Sequence, residues 1–141
     1  MFPHFFKDVC CMFLFFGMVF MTISCGQSKD AVKKKEIEYK VCRETELPDE
    51  LKTMIEERKE EEFQLIYENS AHSYFIAGYG RQKCEEYAVT IKALHDEGDT
   101  ILLDTLLVNH SKAETDKSGQ PEFCPYIVIR CDLIKKPVVF Q

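Results

Sequence analysis

From Phe63 onward the pattern of this chain changes period and reads as short strands, some alternating and some apolar throughout, with turn-forming residues between them. That rhythm constrains the fold most, because a period of two places successive side chains on opposite faces of a strand. Phe63 to Glu68 and Ser73 to Tyr79 flank Asn69-Ser70-Ala71-His72, which reads as a hairpin turn. Tyr87, Val89, Ile91 and Ala93 alternate, and His95-Asp96-Glu97-Gly98-Asp99 supplies the next turn. Thr100 to Val108 is an apolar strand holding Asp104. Asn109 to Glu122 is a polar loop containing Gly119-Gln120-Pro121. Tyr126 to Cys131 is a strong strand, and Pro137 to Phe140 a short one assigned to a sheet edge, where proline is tolerated.

Before Phe63 the pattern differs. Glu36 to Val41 alternates, with Ile37, Tyr39 and Val41 on one face of an expected half-buried strand. Leu47-Pro48-Asp49-Glu50 opens a helix, with proline at the first helical position and acids at its positive end. Leu51, Met54, Ile55 and Arg58 follow at helical spacing, and the interleaved glutamates mark a solvated face. One helix and about seven strands in short hairpin connections predict an α+β domain. It is mainly antiparallel, a roll or small sandwich with the helix covering one face.

The first residues read as a targeting segment. Val9 to Ile23 is about 15 residues without a charge, the apolar core of a secretory signal. A helix of that length spans only ~22 Å, short of the ~30 Å of a bilayer core. Thr22-Ile23-Ser24-Cys25-Gly26 resembles a bacterial lipobox, in which the cysteine is lipidated and becomes the first mature residue. The expected organisation is therefore a signal peptide of lipoprotein type at 1–24, a polar tether at 25–35 and one domain at 36–141. An uncleaved anchor and ordinary secretion are the alternatives. The expected location is the extracytoplasmic face of a cell membrane, with lipid attached at Cys25.

About 117 residues remain after the leader, enough for one domain. The formal charge of −6 and the absence of a basic stripe exclude a nucleic-acid partner from the reading. Of seven cysteines, Cys42, Cys84, Cys124 and Cys131 fall in the expected domain. An even number outside the cytoplasm suggests disulfides, with three pairings open. They form no C-x-x-C pair, and His72, His95 and His110 show no ligand spacing, so no metal or cofactor is expected. No nucleophile–base constellation is recognisable either, and the expectation is a non-enzyme.

Several blocks together resemble the PrcB family of protease complex subunits. They are Leu47-Pro48-Asp49-Glu50-Leu51, Phe63-Gln64-Leu65-Ile66-Tyr67, Phe75-Ile76-Ala77-Gly78-Tyr79-Gly80, Tyr87 with its strand, Pro125-Tyr126-Ile127-Val128-Ile129 and Lys136-Pro137-Val138-Val139-Phe140. The family's turn usually reads Gln-x-Thr-Gly-Gly-Tyr, whereas here it is Gln82-Lys83-Cys84-Glu85-Glu86-Tyr87. Glutamates thus replace residues that could adopt positive φ. Cys124 stands where the family commonly has an aromatic. These two departures suggest a Cys84–Cys124 bridge, with Cys42–Cys131 as the complementary pair. Closing a loop of about 40 residues would contribute roughly 4 kcal/mol in the chain-entropy model.

The resemblance implies an accessory subunit that binds and stabilises an exported protease. Its turn is also similar to those of small β-fold inhibitors that present a loop to a protease cleft, here residues 80–87. Tyr79, Arg81, Tyr87 and the 109–122 loop are the candidate partner-binding surfaces, since tyrosine and arginine are common interface anchors.

Overall fold

The structure, a computed structural model, describes residues 33–83, 86–110 and 122–141. The chain divides into two units, Met1–Ala31 and Val32–Gln141, and all the described residues lie in the second. The expected leader and Cys25 lie outside the described residues, as do Cys84 and most of the 109–122 loop.

The described elements are β1 (Lys35–Glu36), β2 (Lys40–Val41), a single 3-10 turn (Glu44–Glu46) and α1 (Asp49–Glu56). Then follow β3 (Glu62–Glu68), β4 (His72–Tyr79), β5 (Tyr87–Asp96), β6 (Ile101–Asn109), β7 (Tyr126–Asp132) and β8 (Val138–Phe140). They form two four-stranded sheets, in the orders β1-β5-β6-β8 and β2-β7-β4-β3. Every pairing is antiparallel except β6–β8, which is parallel. The mainly antiparallel α+β architecture expected from the sequence is present, with eight described strands arranged as two sheets.

Two apolar clusters define three layers. Phe75, Leu94, Ile101, Leu103, Ile129 and Cys131 come from both sheets and fill the space between them. Leu47, Leu51 and Ile55 pack with Cys42, Phe63, Tyr74, Ile76 and Val128, which places α1 on the other face of the second sheet. That sheet is therefore the middle layer, and its strand β4 is buried without interruption from Ser73 to Gly78. Burial on both faces explains why Tyr74 to Gly78 is a continuous run without polar residues rather than an alternation. Tyr79 joins the layers at one end, its hydroxyl sharing a 2.8 Å hydrogen bond with Thr105 Oγ1 of β6.

Three local features depart from the expectation. Glu36 to Val41 is not one strand: β1 pairs with β5 in one sheet and β2 with β7 in the other. Ile37 packs into the inter-sheet cluster, while Tyr39 and Val41 remain 43% and 51% exposed. The segment crosses between sheet edges instead of burying one face. In β5 the register shifts between Ile91 and Ala93, so Leu94 rather than Ala93 enters the core. Pro48 is the N-cap of α1, one position before the first helical residue, and its carbonyl accepts the Lys52 N–H at 3.0 Å.

The hairpin turns follow their chemistry. Asn69 Oδ1 accepts the N–H groups of Ala71 and His72 at 2.9 and 2.8 Å, closing β3–β4. Gly98 takes φ 95° between β5 and β6, where Asp96 Oδ1 accepts its N–H.

A candidate functional site at the paired turns

The two segments that carry Cys84 and Cys124 in the sequence lie side by side. Gln82 and Phe123 form an isolated antiparallel bridge, exchanging backbone hydrogen bonds of 2.7 and 2.9 Å. The Tyr79 N–H donates to the Pro125 carbonyl at 3.0 Å, continuing the β4–β7 ladder into the turns. Gly80 makes this path available. It sits at φ 67°, and a Cβ there would come within 2.9 Å of the Glu61 backbone carbon. Gln82 Nε2 donates back to the Tyr79 carbonyl at 2.8 Å and completes the tight bend.

Arg81 clamps three segments together. Its guanidinium meets Glu60 at 2.7 Å and Glu122 at 2.9 Å, and its N–H donates to the Glu60 carbonyl at 3.1 Å. The Glu122 and Glu60 charges raise its pKa further above the ordinary value. The ion pairs are about half exposed, so their energetic value is small and their role is geometric.

Beside the second turn is a groove of about 560 Å³. Phe123, Cys124 and Tyr126 line it from the turn, Glu56 and Lys59 from the end of α1, and Cys42 and Glu44 from the segment before the helix. Phe123 is 42% exposed at its edge. Lys59 reaches Glu56 at 2.6 Å, and that hydrogen bond raises its pKa. Burial pushes the Tyr126 hydroxyl pKa up, with Glu44 and Glu56 adding to the shift. The groove thus combines an aromatic wall with a charged rim.

The partner-binding candidates occupy different situations. The Tyr79 hydroxyl is engaged between the sheets and the Arg81 guanidinium is held by two carboxylates. Tyr87 begins β5 opposite Asn109, half-buried. Phe123, Glu60 and Lys59 were not among the candidates read from the sequence, and Glu122 entered only as the last residue of the 109–122 loop. Their assembly depends on contacts between distant segments, and the only local signal was the proximity of Glu122-Phe123 to Cys124-Pro125.

The cysteine pairing requires correction. Cys42, Cys124 and Cys131 are free thiols, so the Cys42–Cys131 pair is not formed. Cys42 belongs to the helix-side cluster and Cys131 to the inter-sheet cluster, on opposite faces of the middle sheet. Burial pushes the Cys131 thiol up to about 11, and it also raises that of Cys42 against the lowering influence of Arg130. Both thiols therefore stay protonated at neutral pH. Cys124 being free, the expected Cys84–Cys124 bridge is not formed either; Cys84 itself lies outside the described residues. Among the described residues, no group of three or more His, Cys, Asp or Glu is placed to hold a metal ion.

Fold and site together define a three-layer β/β/α domain with two turns bound into one terminal surface. No protein-family model, curated protein or solved structure matches the chain.

Proposed function

We propose that this chain is a lipid-anchored accessory or binding protein on the extracytoplasmic face of a membrane, and that its paired turns meet an exported protease. The observation that carries the reading is the joining of residues 80–82 to residues 122–125 through the Gln82–Phe123 bridge and the Arg81 clamp. A surface built from two distant segments and fixed by backbone hydrogen bonds loses little conformational freedom on binding. The Phe123 ring at a groove edge supplies the type of anchor on which interfaces concentrate their energy. The resemblance to protease complex subunits and the lipobox-like Ser24-Cys25 supply the partner class and the location.

The inhibitor alternative, in which the 80–87 turn enters a protease cleft, fits the geometry less well. Arg81 is tied down on both sides and Gln82 is bridged, so neither projects freely as an inserted side chain must. The two readings separate in one assay. Full-length chain in non-ionic detergent is added to the purified exported proteases of the source cell, and peptide cleavage is followed. A stable complex with activity retained or increased supports the accessory role, and progressive loss of cleavage supports inhibition. Absence of any complex contradicts both.

A further inference from the structure

A second charged feature lies away from the paired turns, at the β2 edge of the middle sheet. Lys40 of β2 and Arg130 of β7 are direct cross-strand partners. Two cations directly opposite each other destabilise a ladder, and β2 is only two residues long, so this position is one of its two register pairs. Glu46 neutralises Lys40 through an ion pair. Among the described residues, no carboxylate pairs with Arg130. Its other cross-strand partner is Tyr74, which is buried. His72 lies two residues along β4 and presents its ring to Tyr74 at 6.3 Å, nearly edge-on. Lys40, Arg130 and His72 line one cleft of about 260 Å³, with the exposed Tyr39 on its wall.

We propose that Lys40 and Arg130, with His72 at the rim, form an oxyanion site that takes a phosphate group. An anion seated at Arg130 supplies the counter-charge that no described carboxylate gives it, and Lys40, held by Glu46 beside it, can turn to share the same anion. The guanidinium fork suits the bidentate geometry of phosphate, and Lys40 adds a mobile point charge. Glu38 and Asp132 border the same cleft and oppose the anion, so a compact group that reaches both cations is favoured over an extended polyanion. Free inorganic phosphate and the phosphate of a lipid headgroup present the same chemistry. This site does not depend on the protease reading.

The test is a titration of the ¹⁵N-labelled full-length chain in non-ionic micelles, at constant ionic strength, followed by NMR. One arm adds inorganic phosphate in exchange for chloride, and the other dopes the micelles with phosphatidylglycerol. The expected result is a saturable shift centred on the Arg130 side-chain N–H, Lys40 and His72, in one arm or both. The arm that responds at the lower concentration identifies the source. Arg130→Gln should weaken that response roughly tenfold, in line with losing one charge-assisted contact. It should leave the anion-free protein no less stable in thermal melts, because the guanidinium it removes has no carboxylate partner among the described residues. If Arg130→Gln fails to fold, Lys40→Gln carries the same comparison. Shifts spread equally over distant cations such as Lys52 and Lys92, an unchanged response in the variant, or no response in either arm overturns the site.

Discussion

Two glycines show how the local backbone was selected. Gly78 of β4 is the cross-strand partner of Phe63, and a Cβ at Gly78 would fall 2.1 Å from the Phe63 ring. The bare backbone lets the ring lie flat across the strand and close the helix-side core, an aromatic-over-glycine pairing. Gly78→Ala should therefore lower stability by about 1–3 kcal/mol through overpacking. Phe63→Leu in the same chain should make the loss less than additive, as read by denaturant unfolding of the cycle. Full additivity would contradict the contact. The same residue-scale logic applies to the thiols. Cys42 and Cys131 are buried and their pKa values raised, so both should resist iodoacetamide in the native protein at neutral pH and label on unfolding. Native labelling of Cys131, detected by peptide mass, would be inconsistent with its place between the sheets. The sequence marks Gly78-Tyr79-Gly80 as a special stretch. Only the register shows that one glycine makes room for a ring while the other sets a turn.

At the scale of elements, the first sheet is closed by charge as well as by its ladder. Lys136, just before β8, reaches Asp96 at the end of β5 at 2.6 Å. That hydrogen bond, with a smaller contribution from the Gly98 N–H, holds the Asp96 carboxyl below its ordinary 3.8. A depressed carboxylate pKa stabilises the fold above the unfolded value, and the contribution is lost as pH falls through the folded one. Thermal melts between about pH 5 and pH 2 should show part of their slope removed in Asp96→Asn, with the slopes converging above about pH 5. An unchanged slope would show that the pair is solvent-screened to insignificance. The hairpins β3–β4 and β5–β6 were legible because both the alternation and the turn residues are local. The β5 bulge was not, since Tyr87, Val89, Ile91 and Ala93 alternate cleanly while the structure moves the inward position to Leu94. The 36–41 segment misled for a related reason. Its alternation is real, but it is shared between two sheet edges and buries only Ile37 in the core.

At the scale of the whole molecule, one helix over a mainly antiparallel β domain was readable from period and turn spacing. The choice between a roll and a two-sheet sandwich was not. It is fixed by pairings such as β2–β7 and β6–β8, whose partners lie far apart in sequence and leave no mark on local pattern. The candidate surface shares that character. Arg81 was visible as a residue of interest, but its partners Glu60 and Glu122 lie far apart in sequence, and the clamp exists only once the layers have assembled. Phe123 follows the polar loop directly, and only the bridge to Gln82 placed its ring beside the groove. The central claim is that this end of the domain faces the partner. It is tested most directly by placing a photo-crosslinking residue at position 123 of the full-length chain in membranes of the source cell. Position 106 serves as a control, since Leu106 is equally exposed, at 48%, on a different strand. The expected result is an adduct from position 123, identified by mass spectrometry as an exported protease, and none from position 106. No adduct from position 123, or the same adducts from both positions, would contradict the account.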